Sequence, residues 1–239
     1  MKKLICCLFV LISFSSLAFA QVKEIAVLTH LSGTLTVKRA DGTSKLLGVK
    51  STVFTGDLLA TEADTYARLK FVDGGEVVLR PNSQFRVDSY HFDAADSSRD
   101  SMLMSLLKGG LRAVTGLIGQ RSKEKVEYRT TTATIGIRGT NHGMLLCNAD
   151  CQNIPTVSGT PPADGLYVDV AFGAVEIRNQ VGQQLVTAGQ FAYAPSAAQP
   201  PVLIPAGQGI QVTMPQAISA NATEGRGLGG PARDTSCSF

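Results

Sequence analysis

Apolar and polar residues alternate along much of this chain, which is the period of strands that bury one face. In Tyr66 to Val72, Ala67, Leu69 and Phe71 fall on one side, with Arg68 and Lys70 on the other. The same period places Leu35 with Val37 and Phe85 with Val87. Glu24 to Leu31, Glu76 to Leu79, Val126 to Thr134, Leu166 to Arg178 and Gln184 to Ala194 are further strand-like runs rich in β-branched and apolar residues. Turn residues punctuate them: Asp41-Gly42, Gly56-Asp57, Asp73-Gly74-Gly75 and Pro81-Asn82-Ser83. Ser101 to Leu107 fits either a short helical turn or the start of a strand. Gly109-Gly110 then breaks the run, and Leu111 to Val114 reads as a strand. Residues 90–101, 116–125 and 148–165 read as loops. The pattern predicts an all-β domain, an antiparallel sandwich or roll of short strands.

One segment departs from plain alternation. Thr131 to Thr140 reads as a strand, yet Gly136 and Gly139 interrupt it three residues apart. Glycine inside a strand marks a bulge or a close backbone approach. Arg138 stands between the two. A buried or half-buried arginine needs a partner, and Asp57 or Asp73 is the expected one. The alternative is a planar fork that binds a carboxylate or phosphate. His142 follows directly. There is also an internal echo. Val27, Gly33, Leu35 and Val37, followed by Asp41-Gly42 and Gly56-Asp57, resemble Val168, Gly173, Val175 and Ile177, followed by Gly182 and Gly189-Gln190.

The two ends differ from this middle. Lys2 and Lys3, the apolar run to Phe19 and the triplet Ala18-Phe19-Ala20 predict a signal peptide over residues 1–20, cleaved before Gln21. The run is about 16 residues, short of the ~20 that span a bilayer, and no later run is long enough. The β domain is expected over residues 21–194. From Pro195 to Phe239 the composition turns to Pro, Gly, Ala, Ser and Gln, predicting a mostly disordered tail. Gly209 to Thr213 is the one stretch there that fits an edge strand.

Composition narrows the chemistry. Of 22 Lys and Arg against 19 Asp and Glu, processing removes Lys2 and Lys3, leaving a net charge near +1. That balance points away from nucleic acid. With no tryptophan and 6% aromatic residues, a stacking platform for sugars or bases is not expected. Export permits disulfides, and Cys147 and Cys151 bracket a turn-like triplet, so a local disulfide is the simplest reading. A zinc site of His142, Cys147, Cys151 and Cys237 is the alternative, but it lacks the C-x-x-C knuckle. His30 reads as a packing residue and His91 as a surface one. No nucleophile elbow, H-E-x-x-H or P-loop lysine is present. Asp93, Asp96 and Asp100 lack the spacing of a calcium loop. No enzyme, metal or cofactor is expected.

Several of these pieces, taken in order, resemble the FecR domain family. Gly33-x-Leu35-x-Val37 resembles its opening strand, and Gly56-Asp57-Leu58-Leu59-Ala60-Thr61 its Gly-Asp-x-Leu-x-Thr element. Ala67 to Gly75 is similar to its Ala-x-Leu-x-Phe-x-Asp-Gly-Ser hairpin, and Leu79 to Ser83 to its Leu-x-Pro-x-Ser turn. Gly109 to Val114, Thr130 to Thr140 and Tyr167 to Tyr193 complete a resemblance over residues 27–194. It implies an exported binding or sensory module acting by protein–protein contact in envelope signalling or assembly, with an envelope protein as partner. Gly136, Arg138, Gly139, Thr140 and His142 form its candidate binding or structural signature. The alternative is a periplasmic binder of an envelope glycan or small anionic ligand. An edge strand that accepts a partner strand would serve the first reading. A concave pocket lined by Arg138 and His142 would serve the second.

Overall fold

The computed structural model describes residues 23–215 and residue 218. The expected signal peptide, Cys237 and the stretch 221–239 lie outside the described residues. Before one long strand the chain lays down β1 (Glu24–Leu31), β2 (Leu35–Lys38), β3 (Ser44–Leu47), β4 (Thr52–Phe54), β5 (Leu58–Thr61), β6 (Ala67–Phe71), β7 (Glu76–Leu79) and β8 (Gln84–His91). The long strand is β9 (Ser101–Val114), and a short helix α1 (Leu117–Arg121) follows it. Then come β10 (Val126–Arg129), β11 (Thr134–Ile137), β12 (Asn141–Cys147), β13 (Gly165–Phe172), β14 (Ala174–Arg178), β15 (Gln183–Thr187), β16 (Phe191–Ala194) and β17 (Val202–Ile204).

These strands form the expected sandwich, built around one shared strand. The first sheet runs β4-β1-β6-β7-β9-β12-β13-β16-β17. The second runs β3-β2-β5-β8-β9-β10-β11-β14-β15. β9 is the middle strand of both. Its first part pairs with β8 and β10, its second with β7 and β12. Gly109-Gly110 is therefore not a break but the bend where β9 changes sheets. Gly109 sits at φ +74°, and a Cβ there would press on Ser83 and the Asn82 carbonyl. Ser83, fully buried, clamps the bend: its Oγ donates to the Gly110 carbonyl at 2.9 Å and accepts from the Gly110 N–H at 3.0 Å. β9 and β10 pair in parallel, while the other pairings are antiparallel. The crossover that parallel neighbours require is supplied by α1. Its start is held by Asp73, which accepts from the Leu117 N–H through its carbonyl and the Ile118 N–H through its carboxylate.

Three runs expected as single strands are each two strands, one of them parted by a turn within the second sheet and two by the same switching between sheets. Val126 to Thr134 is β10 and the start of β11, joined by a turn in which Thr130 Oγ1 accepts from the Thr132 and Ala133 N–H groups. Leu166 to Arg178 is β13 and β14, bent at Gly173. Gln184 to Ala194 is β15 and β16, bent at Gly189. The internal echo is partly structural. β1 and β13 lie in the first sheet, each passes through a glycine (Gly33, φ +141°; Gly173, φ +77°) into a hairpin of the second sheet, and β4 and β16 return to pair with them. The closing Gly-polar pairs do not correspond: Gly56 follows the return strand β4, whereas Gly189 precedes β16.

Leu35, Leu69, Phe85, Met104, Ile135 and Val175 belong to one buried cluster that joins the inner faces of both sheets. A second cluster lies on the outer face of the first sheet. There Ile210, Val212 and Met214 pack with Val78, Leu145 and Tyr167. The chain thus keeps packing beyond residue 194, because these apolar side chains find a face to cover. The expected strand at 209–213 is not formed, and the added strand is β17 instead.

Beneath this cover lies a polar network that the sequence reading missed. Arg112 donates through Nε to the Val212 carbonyl and through Nη1 to Asn141 Oδ1, each at 2.7 Å, and through Nη2 to Asp169. Asp169 Oδ1 in turn accepts from the Val212 N–H at 2.9 Å. Gly143 stands between Arg112 and Asp169 in the sheet register, and a Cβ there would collide with Asp169 and Val212. The glycine lets the ion pair close across an intervening strand.

Candidate functional site

The signature residues do not converge on one site. Gly136 lies within β11, an inner strand of the second sheet, paired to β10 and β14. The Arg178 side chain passes over it to reach Glu127 on β10, and a Cβ at Gly136 would only touch that side chain in ordinary contact. Gly139 and Thr140 form the crossover from β11 in the second sheet to β12 in the first. Gly139 has φ +72° and faces Gly173, where the chain crosses the other way. Thr140 pins this crossing to the end of β9: its N–H donates to Thr115 Oγ1 at 3.0 Å, and its carbonyl accepts from the Thr115 N–H at 2.9 Å. The Gly-Ile-Arg-Gly-Thr segment is thus a folding element that carries two strands past each other.

Arg138 is not buried and meets neither Asp57 nor Asp73. Asp57 pairs with Arg39, and Asp73 holds α1. The Arg138 side chain is 58% exposed and lies 3.6 Å from Glu176. An exposed pair of this kind contributes about 0–1 kcal/mol, so it does not fix the backbone. The Arg138 N–H, bonded to the Ala174 carbonyl at 3.0 Å, does more for the geometry than its guanidinium. The expectation of a buried arginine fits Arg112 instead, which no local pattern revealed, because its partners come from residues 141, 169 and 212.

His142 is fully buried in the interior, edge-on to Tyr128 at 5.3 Å, with Nδ1 3.0 Å from Thr140 Oγ1. Its Nε2 meets no hydrogen-bond partner among the described residues. Burial, and secondarily the charge of Arg112, push its pKa down to about 3. Such a ring is neutral and sealed from solvent. An unfolded histidine titrates near 6.5. As pH falls below that value the unfolded chain gains a proton that the folded chain refuses. The contribution is complete above about pH 6.5 and drains away towards pH 3, at about 1.4 kcal/mol per pH unit. Near pH 5 the loss is roughly 2 kcal/mol. His142→Gln is expected to flatten this part of the profile, read as urea midpoints from neutral pH downwards. Parallel profiles for the two proteins would sink the assignment.

Cys147 and Cys151 form the expected disulfide, with Cα atoms 5.4 Å apart. That removes them from any zinc set, and no cluster of three or more metal-ligating side chains occurs among the described residues. Beside the bridge is a cleft of about 150 Å³ lined by Arg80, Asn82, Asp150, Cys151, Asn153 and Ile154, among others. Ligand pockets usually hold about 300–1,000 Å³. Neither Arg138 nor His142 lines this cleft, so the pocket expected for a small anionic ligand is not formed by those two residues.

What remains open is surface. In the second sheet, Arg129, Glu127, Arg178, Glu176 and Arg138 form a ladder of alternating charge on the outer face. At one side of the sandwich the edge strands β15 and β17 end both sheets. Leu185 and, on β17, Val202 and Leu203 are exposed there, and so is Val181 in the turn before β15.

The sequence profile of the FecR protein family matches residues 57–176, half of the chain. No curated protein matches. Among solved structures, a cell surface anchoring domain aligns at 29% identity and a TM-score of 0.26, over 26% of this chain and 82% of that one. Two crystal structures of a protein described as an anti-sigma factor from Parabacteroides distasonis align at 14% and 13% identity, with TM-scores of 0.45 and 0.44. Each alignment covers 64% of this chain and 61% of that protein's length.

Proposed function

This chain belongs to the FecR protein family, and on that premise we propose that it is an exported, non-enzymatic module acting by protein–protein contact in envelope signalling or assembly. The observation that carries the reading is the asymmetry of the two sheets. The first is covered on its outer side by residues 210–214, while the second leaves a broad charged face in solvent. Surfaces of this kind suit a macromolecular partner better than a small substrate. The cleft of about 150 Å³ is small for a ligand pocket, and the buried His142 is out of reach as a general base.

Two observations support export. Residues 1–20 carry the charge, apolar run and Ala-x-Ala triplet of a signal peptide. The Cys147–Cys151 disulfide suits an oxidising compartment. The experiment is fractionation followed by affinity capture of the native chain from crosslinked envelope. The protein is expected in the periplasmic fraction, beginning at Gln21 and bound to an envelope protein. A cytoplasmic chain that keeps Met1 and crosslinks to nothing would overturn the proposal.

A further inference from the structure

We propose that the outer face of the second sheet is a docking surface for an extended acidic segment of a partner protein, held by a basic stripe that runs across the strands. This rests on the protein-contact reading above and names the chemistry of the partner. The stripe is set by register. Lys38 on β2 lies level with Leu58 on β5, which lies level with Arg86 on β8. Arg86 is level with Ser105 on β9, Ser105 with Arg129 on β10, Arg129 with Thr134 on β11, and Thr134 with Arg178 on β14. Every second strand therefore carries a basic residue at one level, and the strands between carry small or aliphatic side chains.

Strands in a sheet lie about 4.8 Å apart, so neighbouring cations recur about every 9.6 Å along a stripe of about 29 Å. A polyproline II segment repeats every three residues, or about 9.3 Å, and puts every third side chain on one face. An acidic residue at every third position matches the stripe. The carboxylates already present do not cancel it. Asp88, Glu127 and Glu176 are 18%, 23% and 26% exposed, while Arg86, Arg129, Arg178 and Arg138, which takes up Glu176, are 45%, 55%, 45% and 58% exposed. Asp88 accepts from Arg86 Nε, and Glu127 accepts from one nitrogen each of Arg129 and Arg178. Each guanidinium has five N–H donors, so the carboxylates hold the forks upright while their outer donors face solvent. The strand residues of this face include no Phe, Tyr or Trp on which bases or sugar rings would stack. Asp88 and Glu127 also repel a polyanion whose charges are spaced more closely than the arginines.

The test titrates the full chain with a fluorescent peptide of repeating Glu-Pro-Pro and with one of equal composition whose glutamates are clustered. Duplex DNA and polygalacturonate serve as non-peptide polyanions. The repeating peptide is expected to bind about tenfold more tightly than the clustered one and more tightly than either polyanion. Lys38→Gln, Arg86→Gln and Arg129→Gln combined should weaken it about tenfold or more with an unchanged melting temperature. Equal binding of the two peptides, preference for DNA or polygalacturonate, or a folded triple variant that binds as well as wild type overturns the proposal. If that variant still captures the envelope partner, the protein-contact reading stands and the stripe is not its seat.

Discussion

Replacing Arg112 with alanine is expected to lower the unfolding free energy by roughly 3–5 kcal/mol at neutral pH, the usual result of stripping one partner from a buried ion pair. Asp169 is 3% exposed and would keep only the Val212 N–H as a strong donor. Its pKa is already raised, chiefly by burial, with Arg112 pulling the other way. Without Arg112 the pKa rises further, and the folded variant holds a proton that the unfolded chain releases above about pH 4. The defect is therefore mild in acid and deepens as pH rises through the folded-state value. Removing both partners, Arg112→Leu with Asp169→Ala, should restore part of the loss. Recovery stays partial because the Val212 N–H and carbonyl both lose their partners. Urea unfolding at several pH values reads all three proteins. A single variant within about 1 kcal/mol of wild type at neutral pH would mean that the network contributes no more than an ordinary hydrogen bond.

The crossover glycines give the second large effect, and a sharp contrast. Gly173→Ala is expected to destabilise by roughly 3 kcal/mol or more, and Gly139→Ala by about 1–2 kcal/mol. Both have positive φ, +77° and +72°, so both pay the left-handed penalty of an L residue. Only Gly173 carries a second one. A Cβ there would strike the carbonyl oxygen of Gly139, a backbone atom that no rotamer change can move, whereas around Gly139 the space is open to 4 Å. Equal losses in the two variants would show that backbone conformation, not the close approach of the two crossings, sets the demand for glycine.

Local pattern carried much of the fold. Tyr66 to Val72 alternates because β6 turns Ala67, Leu69 and Phe71 into the core, and Asp73-Gly74-Gly75 turns β6 into β7 as its composition foretold. What could not be read was the sheet to which a strand belongs. Leu166 to Arg178 looks continuous because apolar and β-branched residues run through both of its strands, and it is the contact with Gly139 that shows Gly173 to be a change of layer. Gly109-Gly110 misled for the same reason in reverse. At the candidate site, the disulfide was legible because both its members are local. The Arg138 partner was misjudged, since Glu176 lies three strands further along the chain but next door in the sheet. The basic stripe was invisible, since a net charge of only +3 conceals four cations drawn from β2, β8, β10 and β14.

β9 also governs the order in which this molecule can assemble. Four strands of each sheet precede it in the chain and four follow it. Until Ser101–Val114 is in place, the leading half ends in two raw edges, β7 and β8, that invite pairing with other chains. The trailing half likewise ends in two raw edges, β10 and β12, whose other neighbour is β9. The two sheets can therefore close only once the middle of the sequence is present. Pairing across such distances is slow to nucleate. Once closed, the sheets of the two halves are hydrogen-bonded to each other through β9, so loosening it parts both sheets at their centres.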